Sequence, residues 1–265
     1  MLSAQIPFVP YQQAFPQSYP VNETGTWYKS FYDAYYEHDH EEKAYLIPRI
    51  IHFIWLGSKI PLHASCMIET WRQQHPGWII KIWADEDVEP FGLRNKEAFN
   101  RTTNFGQKSD IFRYEILYRF GGVYVDIDFE CLKPFDELHT SCEFYTGVSQ
   151  ENNYLYNGLI GIREGHPLMQ ACIEHLKTTD PIPVVGELFD ALRIMYETGP
   201  YYFTRMFHAM ESFCTRGTTL ILPPIFIYPI PHSCARAITP EVRDRFIRPE
   251  SLCIHHWECS WAPSL

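Results

Sequence analysis

The strand, helix and strand pattern between Ile47 and Trp83 constrains the fold of this chain more than any other feature. The segment IPRIIHFIWLG is almost continuously apolar until Gly57, which is typical of a strand buried on both faces. Residues 62–74 have helical character, and WIIKIW is a second strand. This βαβ unit predicts an α/β fold with a mostly parallel central sheet flanked by helices. Ligands of such sheets bind beyond the carboxyl ends of the strands, here near Trp55.

The next informative segment is NFGQKSDIFRYEILYRFGGVYVDIDFECLKPF. Apolar residues recur at helical spacing up to Phe120, and Gly121 and Gly122 predict the end of that helix. Apolar and polar residues then alternate from Val123 to Phe129, which predicts a strand with two different faces. Its polar face carries Tyr124, Asp126, Asp128 and Glu130.

Asp126 and Asp128 are two residues apart, so on a strand their carboxylates project to the same side, with Cα atoms about 6 to 7 Å apart. Two anions this close repel each other unless a cation lies between them. Oxygen ligands favour Mg²⁺ or Mn²⁺, which share their remaining positions with substrate phosphates. The alternative for so short a motif is a solvated loop. A glycosidase pair is disfavoured, because its acid and base must flank the scissile bond.

Ser109, Asp110 and Arg113 lie on one face of the predicted helix, because they are three and four residues apart. One interpretation is an exposed ion pair between Asp110 and Arg113. The other is that both side chains reach a ligand held at the aspartates, since the helix precedes that strand by one tight turn. A hydroxyl-rich ring would suit a carboxylate acceptor and a guanidinium donor.

Composition narrows the class of partner. The formal net charge of -10 argues against an extended phosphate-binding surface, so we expect no nucleic acid. The eight cysteines contain no C-x-x-C pair, which predicts mostly buried free thiols. The longest apolar stretch is interrupted by prolines, and the first residues lack a signal-peptide pattern. We therefore expect a soluble, cytoplasmic protein without a transmembrane segment.

The domain organisation follows from shifts in composition. Residues 1–45 are rich in proline and tyrosine and predict an N-terminal extension with one amphipathic helix packed on the core. Residues 46–265 predict the main domain, which ends in a C-terminal tail. Within it, Asn157 to Gly161 reads as a turn that leads into a short strand, and residues 168–176 as a helix.

Several segments together resemble the DXD-containing glycosyltransferases of family 32 and the glucosyltransferase domains of large clostridial toxins. The resemblance covers about residues 46 to 261 and is carried by IPRIIHFIWLG, SDIFRYEILYRFGGVYVDID, NGLIGIREGHPLM and the terminal HHWECSW. It implies a GT-A fold and transfer of a sugar, with retention of anomeric configuration, from a nucleotide-sugar donor through Mn²⁺ or Mg²⁺. Many members of the family are Golgi proteins with a membrane anchor, a feature that this sequence does not show.

The resemblance also implies roles for individual residues. Trp55 would stack on the base, and Tyr124 would line the nucleotide site. Asp110 and Arg113 would bind the donor sugar, with Ser109 also in the donor site. Asn157 would contact the donor or acceptor, and the segment 181–221, rich in aromatic and small residues, would be the acceptor surface. Asp126 would face ribose and metal, and Asp128 would bind the metal. His256 or Glu258 would complete the metal shell, with His255 as a third possibility, because the spacing of this tail differs from that of the toxins. Ser260 and Trp261 would contact the diphosphate.

The leading hypothesis is therefore a metal-dependent, retaining glycosyltransferase that uses a UDP- or GDP-sugar and a glycan, lipid or protein acceptor. One alternative is a module that binds nucleotide sugars or carbohydrates without catalysis. The other is a metal-dependent phosphohydrolase, for which Glu130 is the nearest additional acidic residue.

Overall fold

A computed structural model describes residues 6–15, 23–38, 45–150, 154–176, 187–234 and 238–258. Its eight described strands are β1 (Ile50–Ile54), β2 (Ile79–Trp83), β3 (Gly122–Val125), β4 (Phe129–Cys131), β5 (Phe144–Val148), β6 (Leu155–Ile162), β7 (Thr219–Leu222) and β8 (Cys253–His255). The helices described are α1 (Glu23–Glu37), α2 (Leu62–Gln74), α3 (Asp85–Phe91), α4 (Lys96–Arg101), α5 (Phe105–Phe120), α6 (Asp136–Ser141), α7 (Pro167–Leu176), α8 (Glu187–Glu197), α9 (Pro200–Ala209), α10 (Pro224–Ile227) and α11 (Pro240–Phe246).

Six strands form the central sheet in the order β2, β1, β3, β6, β5, β7. Strands β1, β2 and β3 are mutually parallel, β6 is antiparallel to both of its neighbours, and β5 and β7 are parallel. Five strands therefore point the same way, which confirms the prediction of a mostly parallel sheet. Strands β4 and β8 form a separate antiparallel pair.

The predicted βαβ unit is present as β1, α2 and β2, and the predicted helix before the glycines is α5. Gly121 and Gly122 have φ of 59° and 90°, a region that only glycine adopts without strain. A Cβ at Gly122 would also lie 2.5 Å from the Ile50 carbonyl oxygen of β1. The double glycine therefore ends the helix and also lets β3 approach β1.

The predicted N-terminal helix is α1, and it packs on the core. Its buried face consists of Tyr28, Phe31, Tyr32 and Tyr35, and it contacts β7. The boundary between an extension and a catalytic domain near residue 45 stays a prediction. Within the described parts of the chain, no helix has the length and apolar character needed to cross a membrane. Five of the seven described cysteines are buried, as expected.

Two expectations about local structure were wrong. The stretch from Val123 to Phe129 is not one strand, because β3 ends at Val125, the chain turns at Ile127 and Asp128, and β4 begins in the other sheet. The segment from Asn157 to Gly161 is not a turn but the middle of β6. The asparagine and glycine pair that suggests a turn is overridden here, because β6 is hydrogen-bonded on both sides within the sheet.

Two buried histidines form hydrogen bonds inside the core in their neutral form. In β1, His52 Nε2 donates to the Gly121 carbonyl at 2.9 Å, and Nδ1 accepts from the Trp83 indole at 3.2 Å. In α6, both ring nitrogens of His139 are likewise hydrogen-bonded. Burial lowers the pKa of His52 to about 4 and that of His139 to about 3.

These shifts predict acid-dependent stability. An unfolded histidine has a pKa of about 6.5, so below that pH the unfolded chain binds protons that the folded chain excludes. The contribution of each histidine to the free energy of unfolding should be greatest above about pH 6.5 and fall by up to about 1.4 kcal/mol per pH unit below it. Urea unfolding of His52→Gln, which keeps a donor for Gly121, should show a shallower slope between about pH 6 and 5. The exposed His232→Gln serves as the control, and an unchanged slope in His52→Gln would contradict the assignment.

Candidate active site

The two aspartates lie in the turn that leaves β3 at the carboxyl edge of the sheet. The Asp126 N–H donates to the Gly158 carbonyl of β6 at 2.8 Å, and the Phe129 N–H donates to the Asp126 carbonyl at 3.2 Å. These bonds close a tight turn that directs both carboxylates towards one space. The aspartates thus converge as predicted, but from a turn and not from the face of a strand.

A third potential ligand comes from the C-terminal tail. Pairing of β4 with β8 places His255 opposite Phe129, and the two rings stack with centroids 4.4 Å apart. Ligand atoms of Asp126, Asp128 and His255 all lie within 4.8 Å of one another. His255 Nε2 lies 3.2 Å from Asp128 Oδ1.

This donor set fits a divalent cation. Two ligand atoms at right angles around an ion at about 2.2 Å lie about 3.1 Å apart, close to the spacing between His255 and Asp128. The second ring nitrogen of His255, Nδ1, is buried without a hydrogen-bond partner among the described residues. The described fold therefore leaves one nitrogen of this imidazole unused, while the other, Nε2, is the one that lies near Asp128.

The side chain of Arg113 lies next to Asp126. Its guanidinium is buried, with Nη2 3.0 Å from Asp110 Oδ1 and 3.3 Å from Asp126 Oδ1. Nη1 donates to the Asn157 carbonyl at 2.6 Å, and the guanidinium lies 4.3 Å from the centroid of the Tyr124 ring. The exposed ion pair considered from the sequence is therefore excluded. Arg113 connects α5 to the turn from Asp126 to Phe129, which we call the DXD turn.

Asp110 is held by hydrogen bonds on both oxygens. Asn157 Nδ2 donates to Oδ1 at 2.8 Å, and the Thr198 hydroxyl donates to Oδ2 at 2.9 Å. Thr198 lies at the corner between α8 and α9, and its carbonyl accepts a 2.6 Å hydrogen bond from the Tyr114 hydroxyl. This network fixes the carboxylate relative to Arg113.

The carboxylates titrate differently because their surroundings differ. Burial raises the pKa of Asp110 to about 6, although Arg113 and the Thr198 hydroxyl oppose the shift. Burial also raises the pKa of Asp126, against the pull of Arg113. For Asp128 burial acts in the same direction, but His255 outweighs it and holds the pKa below its usual range.

A cavity of about 320 Å³ opens beside these groups. On one side lies the half-buried Trp55 at the end of β1, whose indole N–H donates to Ser58 Oγ at 3.2 Å. Tyr124 also lines the cavity, and its hydroxyl donates to Asp126 Oδ1 at 2.7 Å. The predicted site residues that line the cavity are Trp55, Ser109, Asp110, Arg113, Tyr124, Asp126, Asp128, Asn157 and Glu258.

The structure does not bring the imidazole of His256 to the aspartate carboxylates. Its Nε2 lies 3.1 Å from Glu130 Oε2, and together with Arg243 it holds the pKa of Glu130 at about 2 against the effect of burial. Glu258 reaches Asp128 only through its N–H, at 2.9 Å from Oδ2, while its carboxylate contacts His63 at 2.8 Å. Ligation by His256 or Glu258 thus stays a prediction without support from this geometry. Ser260 and Trp261 lie outside the described residues.

Two functional positions escaped the sequence interpretation of the site. Thr198 is not among the predicted site residues, and its bond to Asp110 spans 88 residues, which no local pattern reveals. Gly158 was read as part of a turn. A Cβ at this position would lie 2.6 Å from Asp126 Oδ2, so the glycine creates the room that Asp126 occupies.

Gly158→Ala should therefore displace the Asp126 carboxylate and lower the free energy of unfolding by about 1–3 kcal/mol, the usual cost of overpacking. Urea unfolding measures this cost. In an Asp126→Ser background the contacted oxygen is absent, so the same substitution should cost much less. Equal costs in the two backgrounds would show that Gly158 is needed for another reason.

Part of the chain matches a known protein family. Residues 61–145 match the family described as "Glycosyltransferase sugar-binding region containing DXD motif". These residues are a DXD glycosyltransferase region. The resemblance stated from the sequence is thereby confirmed, and the region includes α5, the DXD turn and β4.

Curated relatives match part of the chain. The chain is 34% identical over 137 residues to inositol phosphoceramide mannosyltransferase 1 of Schizosaccharomyces pombe, covering 49% of this chain and 43% of the relative. It is 27% identical over 192 residues to mannosyltransferase 3 of the same series and organism, covering 68% and 50%. The chain thus spans about half the length of these relatives.

A solved structure identifies the fold around the DXD region. The ligand-free glycosyltransferase domain of the YGT toxin superposes with a TM-score of 0.51 at 11% identity, covering 66% of this chain and 80% of that domain. At this identity the likeness concerns the fold alone. The prediction of a GT-A type fold is confirmed.

Proposed function

We propose that this protein is a metal-dependent, retaining glycosyltransferase that moves a sugar from a nucleotide-sugar donor to an acceptor hydroxyl. The observation that carries the proposal is the convergence of Asp126, Asp128 and His255 beside the buried pair of Asp110 and Arg113. The two groups line one cavity within a chain that contains the DXD region. A cation site and a sugar-binding wall are the two parts that such a transfer needs.

Asp126, Asp128 and His255 would hold the ion. When bound, a divalent cation would supply the positive charge that stabilises the departing diphosphate. Carboxylates suit both Mg²⁺ and Mn²⁺, whereas an imidazole nitrogen favours a transition-metal ion. We therefore propose Mn²⁺ as the preferred ion and Mg²⁺ as a weaker substitute.

The donor would occupy the 320 Å³ cavity. Trp55 would stack on the base, because its indole lines the cavity at the end of β1. Asp110 and Arg113 would bind the sugar, and Asn157 with Thr198 would hold Asp110 in place. Ser260 and Trp261 would contact the diphosphate from the tail and exclude water. The nucleotide stays open between UDP and GDP, although a UDP-bound form of the YGT toxin domain is among the solved structures of similar fold.

The contacts of Asp110 favour a mechanism in which the acceptor attacks the sugar directly, without a covalent intermediate on this carboxylate. Both of its oxygens are occupied by Asn157, Thr198 and Arg113, so this carboxylate is poorly placed to attack the sugar as a nucleophile. We propose that the acceptor hydroxyl forms the new glycosidic bond on the face from which the diphosphate departs. The bond from the sugar to the phosphate breaks, and the departing phosphate oxygen takes the hydroxyl proton.

The names of the relatives suggest the first substrates to examine. Those relatives are named for mannose transfer to inositol phosphoceramide, so we propose a mannose donor and a lipid-linked inositol as the leading pair. Glycan and protein acceptors follow, and the segment 181–221 remains the proposed acceptor surface. A cytoplasmic location also remains a proposal, which cell fractionation would test.

A donor screen tests the proposed function. The protein is incubated with Mn²⁺ and single nucleotide sugars, including GDP-mannose and UDP-glucose, and released nucleotide is measured by mass spectrometry. We expect release from one donor, its loss on chelation of the metal, and its restoration by added Mn²⁺. Tight donor binding without release would favour a binding module, and release of inorganic phosphate would favour a phosphohydrolase.

A further inference from the structure

The carboxylate of Glu130 connects β4 to α11 and to the C-terminal tail. Glu130 lies in β4, two residues after Asp128. Its carboxylate accepts two hydrogen bonds from Arg243 of α11, at 2.7 and 2.8 Å, and a third from His256 Nε2 at 3.1 Å. We call these three residues the tail clamp. None of them lines the donor cavity.

The geometry of the clamp is specific. A guanidinium that meets a carboxylate through two parallel hydrogen bonds fixes both distance and orientation, which a single ion pair does not. The Glu130 and His256 side chains are each 19% exposed, so solvent competes with the contact only in part. The clamp therefore anchors the tail on a rigid strand.

Anchoring of His256 determines where its neighbours point. Successive residues in extended backbone face opposite sides, so with His256 on Glu130 the preceding His255 faces Asp128. The His256 N–H also donates to the Asp128 carbonyl at 2.9 Å. Thus one residue that binds no metal sets the position of the residue that completes the cation site.

The chain then reverses at Trp257, whose φ of 55° is unusual for a residue with a side chain. Its indole donates to the Ile230 carbonyl at 2.9 Å and packs against His255 with centroids 4.2 Å apart. The reversal turns the Glu258 N–H onto Asp128 Oδ2. A conformation this uncommon persists only where the surroundings hold it, and the clamp lies immediately before it.

We propose that Arg243, acting through Glu130 and His256, is a positioning residue that keeps the C-terminal tail in the register that places His255 at the cation site. This inference rests on the proposed function only for the presence of a divalent ion. Arg243 itself touches neither donor nor metal. Its effect is carried by the tail.

The test measures Mn²⁺ affinity directly, from the loss of the electron paramagnetic resonance signal of free Mn²⁺ during titration with protein. Arg243→Gln should weaken Mn²⁺ binding by about 10-fold, within the range usual for residues that orient metal ligands. Arg243→Lys keeps the charge but not the paired hydrogen bonds, so its affinity should lie between those of the wild type and Arg243→Gln. Arg245→Gln, an exposed arginine two residues away on α11, should bind Mn²⁺ like the wild type.

Two further measurements separate positioning from general damage. Urea unfolding in the absence of metal measures the stability that each variant loses, and the loss of Mn²⁺ affinity in Arg243→Gln should be larger than that loss explains. Glu130→Gln should weaken Mn²⁺ binding as Arg243→Gln does, and the double variant should be no weaker than either, since the residues act as one unit.

Failure of this inference can be distinguished from failure of the proposed function. If the wild type binds Mn²⁺ and Arg243→Gln binds it equally well, the clamp does not position the ligand. If Arg243→Gln loses affinity only in proportion to a lost free energy of unfolding, the contact is merely structural. If the wild type itself binds no Mn²⁺, both the metal-dependent function and the inference are overturned.

Discussion

Asp128→Asn is expected to reduce Mn²⁺-dependent release of nucleotide from the donor by about 10³-fold, equivalent to about 4 kcal/mol of transition-state stabilisation. Asn has nearly the same shape and keeps one oxygen to accept the Glu258 N–H, so the turn should survive. What is lost is the negative charge that would bind the cation. Without the cation, charge developing on the diphosphate has no counter-charge. The measurement is nucleotide release at saturating donor, by mass spectrometry.

The matched control for this variant is Asp244→Asn, which removes a carboxylate from the exposed side of α11 and should leave release unchanged. Mn²⁺ titration supports the interpretation if Asp128→Asn has lost the metal while its unfolding curve resembles that of the wild type. Release that persists at the wild-type rate in Asp128→Asn would overturn a mechanism based on the DXD aspartates.

The second large effect is on stability. Arg113→Met should lower the free energy of unfolding by about 3–5 kcal/mol, because it leaves Asp110 and Asp126 without their buried counter-charge. The carboxylates would respond with pKa values raised still further, so acid should partly restore stability by protonating them. The deficit measured by urea unfolding should therefore be smaller at about pH 5 than at about pH 7.5.

A second substitution checks the cause of that loss. Asp110→Asn removes one of the unpaired charges, so the double variant with Arg113→Met should be more stable than Arg113→Met alone. Arg119→Met is the control in the same helix, since Arg119 is exposed and makes one hydrogen bond to the Phe91 carbonyl. A similar loss in Arg119→Met would indicate damage to α5 instead of an unpaired buried charge.

Much of the donor side of the site could be predicted because its signals are local. Hydrophobic runs identify β1 and β2, and helical spacing followed by Gly121 and Gly122 identifies α5. These elements alone bring Trp55, Asp110 and Arg113 to the edge where Asp126 emerges. Each of these predictions needed only the physics of one helix or one strand.

The remaining features depend on contacts that are distant in sequence. Alternation after Gly122 predicted one long strand, yet the chain leaves the central sheet after Asp126, because the Phe129 N–H bonds back to the Asp126 carbonyl and β4 pairs with β8. His255 lies beside Asp128 and His256 beside Glu130 because of the pairing of β4 with β8, which no local motif reveals. Asp110 is fixed by Thr198, and only the folded chain reveals that contact.

The antiparallel strand β6 limits where the chain can be cut into fragments that fold. The recognisable DXD region ends at residue 145, before the strand that covers the open side of β3. A fragment cut there would keep both aspartates but expose an unpaired strand edge, a template for aggregation. It would also lack Asn157, which satisfies both Asp110 and Arg113. The stretch of sequence by which the family is recognised is thus not an autonomous module, and a transplant would have to include β6 and the tail that carries His255.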